Sequence, residues 1–326
     1  MGTLTAGHTI IEMAKMISPT GKQMKIAEVL AKEISMLFDI IFTPSNDIWG
    51  HKSLEEASED TASWRALNEH VASGEELTNE NYDVIGILER FAEFDIEWVD
   101  NQPNPQMARV MKSKSKLKAM ARALCSAFLY SNNKVTPKQP HGMMPRLAST
   151  GRYVISHGDS SALTSILVVT HGEDAVHGIY PMNSEAPDEE FVIRHKDLGE
   201  QLITDSSGNH LRKYVDNFKF KGGLVVEDYR TLGRVANIGS ATAQVQAWEN
   251  DLITLTERME ITDKTVIYMN ETMTSAARIR QKDKGNVHWT PGKGEGLFGK
   301  PVLMFDEIPV KKIDSRILLN SESQIS

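Results

Sequence analysis

Ile26, Leu30, Ile34 and Phe38 recur at every fourth position after Ser18-Pro19-Thr20, which predicts an amphipathic helix over 20–38, a short arm with one apolar face. Periodicity then fades over 41–82, where Pro44, Asn46, Gly50, Gly74 and many acids leave Ala62-Ser63-Trp64-Arg65-Ala66-Leu67 as the clearest ordered piece. Such a polar excursion is longer than the usual connection between elements. Asn104-Pro105 opens the strongest helical pattern of the chain, with an Asn cap, Pro at the first helical position, and no further Pro or Gly through Tyr130. Val110, Leu117, Ala121, Leu124 and Phe128 form its apolar stripe, and at a rise of 1.5 Å per residue it would be about 39 Å long.

After Ser131-Asn132-Asn133 and a Pro-, Gly- and Met-rich loop from Pro137 to Pro145, the pattern changes to strands. Ser165-Ile166-Leu167-Val168-Val169-Thr170 reads as a buried strand, and Tyr214, Phe218 and Phe220 share one parity while Lys213, Lys219 and Lys221 take the other. A mostly antiparallel sheet is the natural reading. Helical spacing returns at Val245, Trp248, Leu252, Leu255 and Met259. A strand over Thr265 to Met269, a short helix near Thr272–Arg280, and strands at Val302–Phe305 and Ile308–Val310 follow. No internal repeat is found, and the fold class is α+β.

Composition narrows the function classes. With 326 residues, 40% of them hydrophobic, the chain can build one large or two ordinary domains around a real core. A formal net charge of −8 argues against a protein whose main task is coating nucleic acid. Cys125 is the sole cysteine, so no intrachain disulfide framework exists, and folding in a reducing cytoplasm fits. No run of about 18 apolar residues is present. The start lacks a signal pattern and Ala6 breaks the myristoylation pattern, so no membrane partner is expected.

Charge is segregated between neighbours. From His51 to Asn101, fourteen acids, Glu55, Glu56 and Glu59 among them, stand against Lys52, Arg65 and Arg90, a net −11. From Pro105 to Gln139 the bases Arg109, Lys112, Lys114, Lys116, Lys118, Arg122, Lys134 and Lys138 meet no acid, a net +8. The basic helix is open to three readings: a solvated face, a nucleic-acid helix, or half of a protein–protein contact with an acidic segment of its own or another copy.

Three strings invite chemistry. Gly294-Glu295-Gly296-Leu297-Phe298-Gly299-Lys300-Pro301 has the glycine and lysine spacing of a phosphate-binding loop, and a nucleotide-binding enzyme using Gly294–Lys300 is the alternative function. Pro301 counts against it, because it stands where a hydroxyl should ligate magnesium, and a strand follows where a helix is needed. His171-Gly172-Glu173-Asp174-Ala175-Val176-His177 lacks the four-residue histidine spacing of a helical zinc site and reads as a turn with solvated side chains. Ser156-His157-Gly158-Asp159 holds the residue types of a triad, but triads assemble in space and no nucleophile elbow occurs, so a polar loop is expected. No catalytic residue, cofactor or metal site is assigned, and the chain is not expected to be an enzyme.

Several segments then carry a family likeness. Trp64-Arg65-Ala66-Leu67-Asn68-Glu69-His70-Val71 resembles an element in the extended loop of major capsid proteins of epsilon15-like short-tailed phages. Val168-Val169-Thr170-His171-Gly172, His177-Gly178-Ile179-Tyr180-Pro181, Gly223-Leu224-Val225-Val226-Glu227-Asp228-Tyr229-Arg230 and Arg234-Val235-Ala236-Asn237-Ile238 are similar to other runs of the same proteins, and Tyr268-Met269-Asn270 and Ile308-Pro309-Val310-Lys311-Lys312-Ile313-Asp314 resemble the strands that close such chains. They run in one order from about 64 to 314. The departures are an acidic 51–61 stretch and the region from Asn183 to Phe191.

The resemblance implies the Hong Kong 97-type coat fold: N-terminal arm 1–40, extended loop 41–82, peripheral domain 83–139 and 160–239 with a spine helix over 105–130, and axial domain 140–159 and 240–326. It implies a coat protein that assembles as hexamers and pentamers into an icosahedral phage head around double-stranded DNA, which it touches weakly and without sequence preference. Scaffolding, portal and decoration proteins are further implied partners, with assembly in the bacterial host cytoplasm and residence in the virion. Lys52 is the sole lysine of the 41–82 loop, so non-covalent assembly is expected. The candidate intersubunit contacts are Glu55, Glu56, Glu59, Trp64, Arg65, Arg109, Lys112, Lys114, Lys116 and Lys118.

Overall fold

The computed structural model describes residues 35–58, 64–68, 70, 77–182, 193–204, 207–239, 245–283, 286–292 and 302–326. In chain order its elements are α1 (Ser35–Asp39), β1 (Phe42–Pro44), β2 (Gly50–Ser58), β3 (Leu77–Val84), β4 (Gly86–Asp95), α2 (Ile96–Asp100), α3 (Pro105–Tyr130) and α4 (Met143–Arg146). There follow β5 (Val154–Ser156), β6 (Leu163–Thr170), β7 (Val176–Tyr180), β8 (Ile193–Thr204), β9 (His210–Val226), a 3-10 turn at Tyr229–Thr231 and β10 (Leu232–Gly239). The last are α5 (Val245–Thr256), β11 (Thr265–Asn270), α6 (Glu271–Arg280), β12 (Trp289–Gly292), β13 (Val302–Phe305) and β14 (Ile308–Ile313). Apart from α1, the helix expected over 20–38 lies outside the described residues, as do Glu59, the Asn183–Phe191 loop and Gly294–Lys300.

The spine helix α3 forms over the expected 26 residues because its ends are chemically marked. The Asn104 side chain accepts from the Met107 N–H at 3.1 Å, and Pro105 supplies a first residue whose missing N–H has no helical partner to lose. Leu117, Met120, Ala121, Leu124, Cys125, Phe128 and Leu129 are buried, alternating three and one residues apart. That stripe packs with Ala92 and Phe94 of β4 and with Phe218 and Phe220 of β9; the Phe128 ring meets the Phe220 ring edge-on at 6.2 Å.

Two sheets carry the rest. A five-stranded sheet runs β1-β7-β9-β4, with β8 also paired to β9; β1 and β7 are parallel and the other pairs antiparallel. A seven-stranded sheet runs β12-β13-β14-β11-β6-β10-β5, with parallel pairs β11/β14 and β10/β5. The strands of 160–239 divide between the two sheets. β6 and β10 leave β7 to β9 and pair with each other, and β6 also pairs with β11.

The physical reason lies in the side chains. Every residue of β6 is buried, so both its faces need cover. Leu167 and Val169 face the core under α3, while Ile166 and Val168 face a second core built by Trp248, Leu252 and Leu255 of α5 and Met273, Ala276 and Ala277 of α6. β9 instead alternates around Phe218 and Phe220 with half-exposed Asn217, Lys219 and Lys221, as a one-sided strand must.

The aperiodic 41–82 stretch also differs from expectation. β2 and β3 form an antiparallel two-stranded ribbon from Gly50↔Val84 to Ser58↔Leu77. The positions it buries at its base, Gly50, Ser53 and Asp83, are small or polar, so its sequence carries no apolar alternation.

His171 and His177 are buried, not solvated as expected. Val176 and Ile179 draw the second into β7, and His171 Nε2 lies 2.8 Å from the Tyr268 hydroxyl, which donates to Asp39 at 2.6 Å. His157 lies in the polar loop expected after β5, where its Nδ1 is 2.6 Å from Asp251. Burial pushes His171 from 6.5 down to about 4, and burial helped by Arg146 and Lys134 does the same to His141. Between these values the unfolded chain holds protons that the folded one refuses, so stability rises with pH there. The Tm of the unassembled subunit should therefore fall as pH drops from about 6.5 towards 4. Calorimetric scans across that range check it, and a level Tm contradicts it.

Candidate intersubunit surfaces

The ribbon is held at its root by its own chain. Asn46 and Lys52 bond each other twice, Lys52 N–H to Asn46 Oδ1 at 2.8 Å and Asn46 Nδ2 to the Lys52 carbonyl at 2.7 Å. A Cβ at Gly50 would lie 2.7 Å from the Asp83 carbonyl oxygen and closer still to the Tyr82 ring, so glycine is required at this crossing. Asp83 is ion-paired to Arg146 of α4, both side chains buried, and Arg146 also donates to the Leu224 carbonyl at 3.3 Å. Burial raises the Asp83 pKa, and the Arg146 guanidinium opposes that rise.

Beyond the root apolar side chains face solvent: Trp64 and Leu67 are 103% and 96% exposed, and Leu54 of β2 is exposed as well, while Ile48 and Trp49 are exposed at the root itself. Such a concentration on one projection marks a surface meant to be covered. The sequence reading singled out Trp64 and missed Ile48, Trp49 and Leu54; large apolar residues isolated in a polar stretch were the available signal. Arg65 is exposed beside Trp64. Glu55 and Glu56 lie on β2, in register with Asn79 and Thr78.

The charge count changes once partners are known. Of the acids in the 51–101 segment, Glu80 pairs with Lys52 at 3.1 Å, Asp83 with Arg146, and Glu93 with Lys213 at 2.8 Å, while Glu89 accepts from Asn217 at 2.5 Å. Among the basic candidates, Arg109 does not face outward for a neighbour's acids. Its guanidinium is held by Asp216 and, at 2.8 Å, by Asp197, and lies 5.0 Å from the Tyr214 ring centroid. Its position one turn into α3, directly over β9, accounts for this. Lys112 places its ammonium 3.6 Å from the Trp98 ring centroid of α2. Lys114, Lys116 and Lys118 are half-buried along the middle of α3.

The phosphate-loop alternative loses its structural context. Strands β12 and β13 flank the Gly294–Lys300 segment and are antiparallel neighbours, Gly292↔Val302, so the segment joins two strands of a hairpin. A strand-loop-helix unit is what a nucleotide would require.

Solved structures share this architecture. The chain is similar to a chain of the bacteriophage epsilon15 structure over 99% of its own length and 98% of the other, with TM-score 0.67 and 24% identity. It is also similar to a chain of the bacteriophage JBD30 capsid decorated with minor capsid protein trimers, over 95% and 99%, with TM-score 0.51 and 8% identity. No curated protein sequence matches it. The fold is that of a phage capsid subunit of the Hong Kong 97 type. The chain belongs to the family described as major capsid protein GP7, whose model matches residues 18–326. It is a structural coat protein of the icosahedral phage shell, located in the virion capsid.

Proposed function

We propose that the subunit assembles as hexamers and pentamers around packaged double-stranded DNA, each copy reaching over its neighbour with the β2/β3 ribbon. The observation that carries this reading is the exposed apolar set Leu54, Trp64 and Leu67, which the described residues leave uncovered. In this scheme residues 1–40 are the arm and 41–82 the extended loop, although β1 within that span joins the five-stranded sheet. The spine helix with β4, β7, β8 and β9 forms the peripheral domain. The axial domain takes β5, the seven-stranded sheet and helices α5 and α6, so β6 and β10 pass to it from the expected 160–239 block. Assembly is non-covalent, takes place in the host cytoplasm, and involves scaffolding, portal and decoration proteins. The subunit has no enzymatic role.

Glu55, Glu56, Glu59, Trp64 and Arg65 on the loop side, and Lys114, Lys116 and Lys118 on the helix side, are the proposed contacts between copies. Negative-stain microscopy of the expressed chain tests the whole reading. Closed shells or large rings are expected, and a homogeneous monomer at assembly concentration sinks it.

A further inference from the structure

A trio of ligand-type side chains sits where the ribbon leaves the body. His51 is the second residue of β2, His177 lies in β7, and Glu227 follows β9. One donor atom from each lies within 4.8 Å of the others. His51 Nε2 is 2.8 Å from Glu227 Oε1, and the two imidazole rings meet edge-on with centroids 5.7 Å apart.

A hydrogen-bonded cluster alone leaves part of this unexplained. His177 is 2% exposed, and its Nδ1 and that of His51 are both buried with no hydrogen-bond partner among the described residues. Buried polar atoms without a partner are rare because their lost hydration is not replaced. Each imidazole offers a cation one nitrogen, Nε2 on His51, so an ion here would partner the buried His177 ring and leave His51 Nδ1 unchanged. Of the His171–His177 run weighed in the sequence, only His177 contributes, because His171 is engaged by Tyr268.

We propose that His51, His177 and Glu227 bind one divalent cation of the zinc class, pinning the root of the ribbon to the five-stranded sheet. Two imidazoles and a carboxylate form a familiar zinc ligand set that leaves a fourth position for water, whereas magnesium and calcium favour oxygen ligands. With bonds of about 2.0–2.2 Å at the tetrahedral angle, two ligands on one zinc lie roughly 3.3–3.6 Å apart. His51 Nε2 and Glu227 Oε1, now 2.8 Å apart, therefore open slightly on binding. His51 Nε2–H now donates to Glu227 Oε1; the nitrogen must give up that proton before it and the carboxylate can both turn to the cation. The sequence expectation of no metal site is thereby revised, since the three ligands come from segments up to 176 residues apart.

The test uses the untagged full-length chain, stripped with chelator and titrated with zinc chloride by calorimetry, with metal per chain counted by mass spectrometry. One zinc per chain is expected, bound in preference to magnesium, with a Tm that rises on zinc addition. His177→Ala and His51→Gln should each weaken binding by at least the ~10–100-fold that loss of an outer supporting partner costs, and should abolish the Tm response. If His177→Ala fails to fold, His51→Gln at the less buried ligand decides. Absence of saturable zinc binding overturns the proposal, and so does zinc bound equally well by the His51→Gln chain. Binding is read on the subunit itself, so its outcome is independent of whether shells form.

Discussion

Replacing Arg234 by methionine lowers the stability of the unassembled subunit by about 3–5 kcal/mol, the cost of breaking a buried ion pair from one side. Arg234 of β10 and Glu322 of the C-terminal segment pair at 2.9 Å with both side chains about 5% exposed. The guanidinium also donates to Ser165 Oγ at 2.9 Å and to the Leu147 carbonyl at 3.0 Å. The carboxylate further accepts from the Tyr130 hydroxyl at 2.5 Å and from Ser165. Without the arginine, an ionised carboxylate is left among hydroxyls in the space between β6 and the end of α3. Burial foremost, and then that same carboxylate, raise the Tyr130 pKa, so the phenol stays a donor.

The loss should spread along the tail. Glu322 N–H bonds the Leu163 carbonyl at 2.9 Å, and Asn237 clasps Ile325 through Nδ2 to its carbonyl at 2.8 Å and Oδ1 from its N–H at 3.0 Å. Asn237 sits at φ 55 beside the irregularity in the β10/β6 register, a backbone that asparagine tolerates better than most residues. Urea unfolding measures the effect. A change within about 0.5 kcal/mol, the range of an ordinary surface substitution, contradicts it. Arg234→Met combined with Glu322→Leu should recover part of the loss, because no charge then remains buried, and the orphaned hydroxyls of Ser165 and Tyr130 limit the recovery.

What could be read in the chain follows from how local each signal is. The spine helix was legible to its ends because cap, proline and stripe all lie within 27 residues of one another. β6 was legible as a buried strand but not as an interior strand of the seven-stranded sheet, since its partners β10 and β11 are chosen by what covers both its faces. The β2/β3 ribbon had no local signature, because nothing along it alternates. The contact candidates show the same limit. The −11 beside +8 was visible, yet Glu93 pairs with Lys213 and Arg109 with Asp216 and Asp197, partners more than 80 residues away. His51, His177 and Glu227 belong to no common motif, and only the folded chain brings them together.

Reversing Lys114, Lys116 and Lys118 to glutamate is expected to block assembly while leaving the subunit folded, and further reversing Glu55, Glu56 and Glu59 to lysine is expected to restore it. The intrachain roles of Arg109 and Lys112 are why the test begins at Lys114: substituting either would disturb the packing of α3 on β9 and α2 as well as any contact between copies. Each partly exposed pair contributes only about 0–1 kcal/mol, screened by salt and opposed by side-chain entropy. Repetition over every contact of a closed shell makes small terms decisive, and turning attraction into like-charge repulsion doubles the change at each one. Helix geometry sharpens the expectation. Lys114 and Lys118 are four apart and share a face, while Lys116 is turned roughly 200° from Lys114. A single acidic strand cannot meet all three, so the Lys114→Glu/Lys118→Glu pair and the Lys116→Glu single reversal should differ in assembly yield. Light scattering across a salt series reads both. If the combined reversal restores no shells at any salt while all variants keep the wild-type Tm, charge pairing at these positions does not hold the copies together, and the apolar ribbon residues Leu54, Trp64 and Leu67 must do so instead.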